Sequence, residues 1–318
     1  MQLSLSVLFS FLLTCSTLHL GIPILSKYLL DIPNERSSHS KAVPTGYGIF
    51  LSFIISIFLF INNHYYVLIC LPLAIIGFID DLKPLSSKFR YCAQLLISFF
   101  IIQYFSLLTE LKSFNYFFSL IFLLLFITAI INFFNFIDGV DGLITSNLLI
   151  YFLLISIIIS PVYLIVFGSL AAFLYFNWQP AKVFLGDSGS TFLGALTVCT
   201  IFYDTPSIEK TILMICSLSA LLIDPFTCVI RRLLYGENIF QPHKLFLFQR
   251  LVQAGLSHSR VSLIYCLVSL ILFITVLSNN VTLVYSSFLC SIIFGIYLDL
   301  FVAVSFKDAL NSTKKEKN

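Results

Sequence analysis

Charge is scarce in this chain. Only 10% of its 318 residues are Asp, Glu, Lys or Arg, whereas about 25% of the residues of a typical soluble domain are charged. The hydrophobic content of 59% and the mean hydropathy of +1.00 exclude an ordinary soluble fold. We therefore predict an all-α, polytopic integral membrane protein.

Three other signals are also missing. The 8 cysteines form no CxxC pair and lie at no ligand spacing from a histidine, so we predict buried, inert thiols. A net charge of +3 is too small to indicate nucleic-acid binding. The first apolar run has no basic residue before it and no clear cleavage pattern. We interpret that run as a retained helix and not as a signal peptide.

Long apolar runs, in contrast, are abundant. About eleven of them approach the roughly 20 residues that a membrane-spanning helix needs. One of them is short, so ten spans is the alternative count. The predicted segments are Leu3–Leu25, Gly46–Asn62, Tyr65–Ile79, Tyr91–Leu108, Phe114–Ile131, Leu143–Ser160, Pro161–Trp178, Ser190–Tyr203, Thr211–Ile230, Val261–Ser278 and Val281–Ser305.

The basic residues are distributed unevenly between the predicted loops. When alternate loops are assigned to one side, all of the 18 lysines and arginines except Lys112 and Lys210 fall on that side. The positive-inside rule places those loops in the cytoplasm, with the N-terminus outside and the C-terminus inside. We predict one transmembrane domain, residues 1–306, followed by a basic cytoplasmic tail, residues 307–318.

A polar stripe occurs where a lipid-facing helix would be apolar. Asn132, Asn135, Asp138 and Asp141 are spaced three residues apart at the end of an apolar run. Side chains at this spacing share one face of a helix, so we expect all four to point the same way. A network of amides and carboxylates that joins helices is the alternative interpretation. We favour ligand binding because a second aspartate follows the first at the same spacing.

Two further acidic clusters lie at the ends of predicted segments. Asp80 and Asp81 are adjacent carboxylates at a membrane boundary, which require either a raised pKa or a cation. Asp187 lies in Gly186-Asp-Ser-Gly-Ser190, where backbone amides can meet phosphate oxygens around a carboxylate suited to Mg²⁺. Each pattern alone is also consistent with a turn. Together, three clusters at segment ends on the cytoplasmic side predict one shared site there.

Basic and aromatic residues fill the predicted cytoplasmic loops. The donors of the first loop suit a phosphate, although a solvated loop beside lipid headgroups explains them equally well. The longest loop interleaves aromatic and basic residues, as in an interfacial helix that covers a site. Asp224 is interpreted either as a structural partner of the nearby arginines or as a site residue. The candidates for binding phosphate or sugar groups are Arg36, His39, Lys41, Lys182, His243 and Arg250.

Together these stretches resemble the MraY/WecA-type polyprenyl-phosphate sugar-1-phosphate transferases of glycosyltransferase family 4. The resemblance covers roughly residues 3–260. Two loop stretches, Arg36 to Ser40 and Gln241 to Leu251, look more like the branch that initiates O-antigen synthesis. The motifs that carry the family resemblance, in chain order, are Gly77-Phe-Ile-Asp80-Asp81, Asn132 to Leu143, Ala181 to Ser190, and Arg231-Arg232-Leu-Leu.

The resemblance implies an enzyme of the bacterial cytoplasmic membrane that requires Mg²⁺, with Mn²⁺ as the alternative ion. Such an enzyme transfers an N-acetylhexosamine 1-phosphate from a UDP-sugar to undecaprenyl phosphate and releases UMP, which initiates a lipid-linked cell-surface glycan. Membrane lipid and a second copy of the chain are implied partners, and nucleic acid is not. The implied catalytic residues are Asp80, Asp81, Asp138 and Asp141, the metal ligands Asp187 and Asn135, and further substrate-binding residues Asn132, Asn135, Phe184 and Ser190.

The implied reaction brings two anions together, so its site must neutralise negative charge. An aspartate of the Asp80–Asp81 pair would take the proton of the lipid phosphate, whose second pKa is about 6. The same aspartate could instead attack phosphorus and form an acyl phosphate, and both mechanisms remain open. GlcNAc, its deoxy derivatives and GalNAc remain alternatives for the sugar.

Two positions depart from the family pattern. Phe246 stands where relatives have a second histidine, and Thr45-Gly-Tyr47-Gly48 replaces an arginine followed by three glycines. Both departures lie in loops expected to shape the sugar and phosphate pocket. An ion-coupled transporter and a catalytically silent scaffold are the competing functions. Acids gathered at one face, no detectable internal repeat and three intact acidic clusters favour the transferase.

Overall fold

The computed structural model of the protein describes residues 2–33, 41–110, 115–203, 208–238, 241 and 243–315. These residues are mostly helical. In chain order the elements are α1 Gln2–Tyr28, β1 Leu30–Asp31, β2 Val43–Pro44, α2 Gly48–Ile61, α3 Val67–Leu82, α4 Ser87–Tyr104, α5 Leu107–Glu110, α6 Tyr116–Ile137, α7 Leu143–Ile158, a 3₁₀ turn Pro161–Tyr163, α8 Leu164–Asn177, α9 Gly186–Phe202, α10 Ile208–Ser217, α11 Ser219–Leu234, α12 Leu247–Gln253, α13 His258–Leu277, α14 Val281–Phe301 and α15 Phe306–Lys315.

Several helices begin where a polar side chain satisfies an otherwise unpaired backbone N–H. The Ser86 hydroxyl accepts from the Phe89 N–H at 3.3 Å and so begins α4. The Asn115 and Asn280 side-chain oxygens do the same for α6 and α14 at 3.0 and 3.1 Å. An N-cap of this kind stabilises a helix by about 1 kcal/mol. These caps explain why apolar runs are divided at short polar turns.

The helices agree with the predicted membrane class. Each predicted apolar segment contains a helix or most of one. Within the described ranges, four helices are long and apolar enough to cross a bilayer: α1, α6, α13 and α14. A fifth span results if α10 and α11, bent by 80° at Leu218, are counted as one. Other helices, such as α2 and α8 with 14 residues each, are shorter than a full crossing. About eleven crossings and an outside N-terminus therefore stay predictions.

The core is built around α9. From Ser188 to Ile201 this helix is buried throughout, and α3 and α6 pack along it. The C-terminal ends of α3 and α6 therefore meet the N-terminal end of α9 at one end of the bundle. The start of α4 also lies there, since Arg90 reaches Asp80 and Asp187. This end of the bundle carries the predicted acidic clusters.

Two small features complete this end of the molecule. β1 and β2 form an antiparallel pair in which Leu30 lies opposite Pro44. Residues 306–315 form α15, and its apolar residues Phe306, Ala309 and Leu310 are buried against the bundle. Most of the predicted basic tail is therefore a packed helix in this structure.

Candidate active site

Aspartates from two helices converge on a single guanidinium. Nη1 of Arg90, in the first turn of α4, lies 2.6 Å from Oδ2 of Asp80 and 2.7 Å from Oδ2 of Asp187. Asp80 is near the end of α3 and also accepts the Leu85 N–H at 2.5 Å. Asp187 is in the first turn of α9. Residues more than a hundred positions apart thus share one cation position.

Asp81 has a different role from its neighbour. Its carboxylate accepts the backbone N–H groups of Asp187 at 2.9 Å and Ser188 at 3.3 Å. These are unpaired donors at the start of α9, where a negative charge also interacts favourably with the helix dipole. Asp81 therefore docks α9 onto α3 and fixes the backbone position of Asp187.

The close contact between α3 and α9 depends on a glycine. A Cβ atom on Gly77 would lie only 2.5 Å from the backbone carbonyl of Asp187. Any other residue at this position would push the start of α9 away from the end of α3. The Gly77-Phe-Ile-Asp80-Asp81 stretch therefore combines the contact point with the carboxylates that use it.

The amides of α6 complete the polar wall. Asn135 donates through Nδ2 to Oγ of Ser190 at 3.1 Å and also interacts with Asp187. Asn132 donates to Oε1 of Gln94 at 2.6 Å, which joins α6 to α4. Asn135 thus belongs to the carboxylate cluster. Asn132 makes the kind of helix-joining contact that was the alternative interpretation of the stripe.

Negative charge is concentrated in this cluster. Burial, followed by repulsion from Asp187 and Asp81, raises the pKa of Asp138 to about 8. Burial, partly offset by the two backbone hydrogen bonds, raises the pKa of Asp81 to about 6. Burial and the neighbouring carboxylates also raise the pKa of Asp187. All three lie outside the predicted spans. A cluster with such shifts attracts cations and can accept a proton near neutral pH.

A large cavity opens beside the cluster. Its volume is about 1110 Å³, and Arg90, Asn135 and Asp187 line its polar end. The rest of its wall is mainly apolar and comes from α3, α4, α6 and the bent α10–α11 pair, including Leu222 and Phe226. A polar end and an apolar body suit a ligand that has a charged head and a hydrocarbon chain.

The short helix α12 covers this end of the bundle. Asp224 accepts the N–H groups of Leu247 at 2.6 Å and Phe248 at 3.0 Å, and the Tyr265 hydroxyl donates to it at 2.7 Å. A Cβ atom on Gly139 would lie 3.1 Å from the Phe248 ring, which shows how closely α12 approaches the end of α6. Asp224 therefore positions the cover. Of the two interpretations of Asp224, pairing with Arg231 does not hold, because Arg231 pairs with Asp299 at 2.6 Å.

Phe246 belongs to a stack of aromatic rings under this cover. Its ring centroid lies 5.7 Å from that of Phe136, 5.6 Å from that of Phe248 and 4.6 Å from that of His243. Phe246, Phe136 and His243 all line the cavity. This departure from the family pattern therefore replaces a polar ring by an apolar one in the cavity wall.

The donor set can be tested against Mg²⁺. Among the residues that the structure describes, no group of three or more His, Cys, Asp or Glu side chains could hold a metal ion. Mg²⁺, however, is usually bound by one or two carboxylates together with phosphate oxygens and water. Asp80 and Asp187 already share a cation, with the Asn135 amide beside them. Two carboxylates and an amide fit an ion that a substrate diphosphate helps to bind.

Comparisons with known proteins agree with this architecture. Residues 63–203 match glycosyl transferase family 4. The chain is 26% identical over 336 residues to a probable undecaprenyl-phosphate N-acetylglucosaminyl 1-phosphate transferase of Bacillus subtilis. This match covers 94% of this chain and 92% of that protein. It is 31% identical over 180 residues to the undecaprenyl-phosphate alpha-N-acetylglucosaminyl 1-phosphate transferase of Thermotoga maritima. That match covers 55% of this chain and 57% of that protein. A phospho-N-acetylmuramoyl-pentapeptide-transferase of Borreliella burgdorferi is 27% identical over 301 residues, 78% of this chain and 85% of that protein. The matched residues and these relatives support the predicted family resemblance.

In this protein the predicted polar stripe is interrupted. α6 ends at Ile137, so Asn132 and Asn135 lie on the helix and Asp138 and Asp141 lie beyond it. The prediction that all four side chains share one helical face is therefore wrong. Asp141 instead lies 3.0 Å from Nδ1 of His258 and accepts the Ala181 N–H at 3.1 Å. The turn that follows α6 redirects Asp141 towards α13, and it organises the loop after α8.

Other candidate residues lie away from the cavity wall. Lys182 is exposed, with its ammonium 5.6 Å from the ring centroids of Tyr175 and Phe176. The backbone of Phe184 donates to the carbonyl of Pro44 at 2.7 Å. Lys41 is exposed just before β2. Arg36 and His39 lie outside the described residues. Substrate binding by these side chains stays a prediction.

Arg250 and Tyr47 are committed to packing. The Arg250 guanidinium donates to the carbonyls of Leu245 and Val304, contacts Asp299 and lies over the Phe306 ring. Tyr47 is fully buried, donates to the Thr14 carbonyl at 3.0 Å and stacks on Phe173. Tyr47, in the loop expected to shape the pocket, ties α2 to α1 and α8.

Arg90 was not among the residues predicted for the site. A signal was present in the sequence, because Ser86 is a good N-cap and places Arg90 in the first turn of the helix after Asp80 and Asp81. The neighbouring Lys83 and Lys88 carry the same charge and are exposed. Only the packing of α4 against α3 and α6, which lets Arg90 reach Asp80 and Asp187, distinguishes it from them.

Proposed function

We propose that this protein transfers an N-acetylhexosamine 1-phosphate from a UDP-sugar to undecaprenyl phosphate, forming undecaprenyl-diphosphate-sugar and UMP. The observation that carries the proposal is the carboxylate cluster at the ends of α3, α6 and α9, in which Asp187 and its partner Arg90 line a large, mainly apolar cavity. A lipid phosphate has the matching shape, with an anionic head and a hydrocarbon tail. Relatives named for this activity support the same conclusion.

The arrangement divides the work among the carboxylates. Asp187 and Asp80, with the Asn135 amide, would hold Mg²⁺, which would supply positive charge to the diphosphate when bound. Asp81 keeps Asp187 in position through its two backbone hydrogen bonds. Asp138, which interacts electrostatically with Asp187 and Asp81 and whose pKa burial raises to about 8, is a candidate to exchange a proton with the lipid phosphate.

The cavity wall supports the assignment of the lipid substrate. Leu222, Ile223 and Phe226 of α11 present apolar side chains beside the polar end. The two helices that contribute to this wall, α10 and α11, meet at a bend of 80°. An isoprenoid chain buried here would be removed from competing water and held with its phosphate towards Arg90 and Asp187.

We place the site in the cytoplasmic half of the membrane, where UDP-sugars are available, in agreement with the distribution of lysine and arginine. We also infer that the product starts a cell-surface glycan of the O-antigen type. The transporter interpretation is less favourable, since the cluster lies at one end of the helices. Asp80 accepts a backbone N–H from the loop after α3, and Asp81 accepts one from the start of α9.

The proposal is tested by incubating purified protein with undecaprenyl phosphate, Mg²⁺ and a panel of UDP-N-acetylhexosamines, and measuring UMP. We expect UMP release with at least one sugar and none when the lipid is omitted. The Asp187→Asn variant should lose at least about 100-fold in turnover, because a charged group in contact with the reacting phosphates is removed. Full turnover by this variant, or UMP release without lipid, would contradict the proposed function.

A further inference from the structure

Arg90 occupies a position that a metal ion would also require. A single nitrogen, Nη1, bridges Oδ2 of Asp80 and Oδ2 of Asp187 at 2.6 and 2.7 Å. A divalent cation held by the same two oxygens would repel the guanidinium at close range. The two cations are therefore competitors for one pair of carboxylates.

The guanidinium also has unused hydrogen-bonding capacity. Among the described residues, none accepts a hydrogen bond from Nε or Nη2 of Arg90. The side chain is 36% exposed and forms part of the cavity wall, so it has space to move. An arginine fork matches the oxygens of a phosphate better than a lysine ammonium does.

We propose that Arg90 exchanges partners during the reaction cycle. It neutralises Asp80 and Asp187 in the empty site, and it moves to a phosphate of the nucleotide or the lipid when a divalent cation takes its place. This inference rests on the proposed function for the identity of the phosphates. Before the cation binds, Arg90 keeps a positive charge beside the carboxylates. After the cation binds, Arg90 can donate hydrogen bonds to a phosphate of the substrate.

The charges of the cluster explain why an exchange is needed. One guanidinium faces the carboxylates of Asp80 and Asp187, with Asp81 and Asp138 close enough to interact electrostatically. Without a cation these groups would repel one another and loosen the contact between α3 and α9. Arg90 stabilises the empty site, and its charge then opposes the entry of the ion.

The test is the affinity for Mn²⁺ in the absence of substrates, measured from the electron paramagnetic resonance signal of the free ion with protein in lipid nanodiscs. We expect Arg90→Gln to bind Mn²⁺ at least about tenfold more tightly than the parent, because a unit charge at this distance opposes the ion. Lys88→Gln removes the same charge from an exposed position two residues away and should change the affinity less than about twofold. Weaker or unchanged Mn²⁺ binding by Arg90→Gln would overturn the proposal.

Arg90→Lys provides a second variant if the glutamine variant does not fold. The lysine ammonium is shorter and does not offer the fork of the guanidinium, so it opposes the ion less closely and we expect this variant to bind Mn²⁺ more tightly than the parent. Affinity equal to or below that of the parent would overturn the proposal with this variant as well.

A second measurement identifies the phosphate. At saturating Mn²⁺, binding of UMP and of a short polyprenyl phosphate is compared between the parent and Arg90→Gln. A loss of about tenfold for one ligand only assigns Arg90 to that ligand, since a hydrogen bond to a charged group is worth about 1.5–3 kcal/mol. Unchanged affinity for both would overturn the exchange. These measurements need no turnover, so their failure is distinguishable from the absence of transferase activity.

Discussion

Gly186→Ala is expected to damage the site through Asp81. Gly186 has a φ of +75°, and a Cβ atom there would lie 2.6 and 2.9 Å from the two carboxylate oxygens of Asp81. The left-handed backbone alone disfavours alanine by about 1 kcal/mol. Moving the carboxylate also weakens its hydrogen bonds from the Asp187 and Ser188 N–H groups, which adds about 2–4 kcal/mol.

Gly236 offers a matched control. Its φ is +69°, but no atom lies within 4 Å of the position of an added Cβ. Gly236→Ala therefore carries the backbone cost alone. Thermal unfolding in detergent, followed with a dye that reacts with newly exposed cysteines, should give a midpoint about 5–10 °C lower for Gly186→Ala than for Gly236→Ala. UMP release should fall only in the Gly186 variant. Equal midpoints, or full activity of Gly186→Ala, would refute the anchoring role of Asp81.

Three further predictions concern the metal, the lipid and the charge of the cluster. Chelation with EDTA should abolish UMP release, and added Mg²⁺ should restore it; activity that persists in EDTA would exclude the metal role. Phe226→Arg should raise the KM for undecaprenyl phosphate by about tenfold and leave that for the UDP-sugar unchanged, because a charge in the apolar wall opposes the tail; an equal rise for both would contradict the lipid assignment. In EDTA the parent should lose stability as the pH rises from about 4 to about 8, because folding raises the pKa of Asp138 from 3.8 to about 8 and the folded state then retains more protons. Asp138→Asn should reduce this loss when unfolding midpoints are compared at pH 5 and 8; an unchanged slope would contradict the burial of that charge.

Local patterns predicted much of the site because its residues occur in short stretches at helix ends. Asp80, Asp81 and Asp187 were recognisable since carboxylates at the boundary of an apolar run have few structural explanations. The stripe from Asn132 to Asp141 was partly misleading, because its spacing continues past the point where α6 ends. Periodicity detects a helical face but does not locate the turn that ends it.

Long-range packing decided the remaining assignments. Arg250 resembles a site residue in the sequence, but its guanidinium is enclosed by Val304 and Asp299, which are distant in the chain. Arg90 resembled an ordinary basic residue of a loop, and the packing of α4 against α3 and α6 placed it between two carboxylates. Such contacts depend on how helices cross, which short-range patterns do not encode.

From its sequence alone, the chain was identifiable as a helical membrane protein with acidic clusters at several segment ends, because composition and spacing are properties of neighbouring residues. The tertiary structure alone decided which carboxylates meet, that Asp81 binds a helix terminus while Asp80 and Asp187 share a cation, and where the apolar cavity opens. The physical reason is that a buried charge takes its role from the donors and charges within a few ångströms, and here those partners come from helices far apart in the sequence.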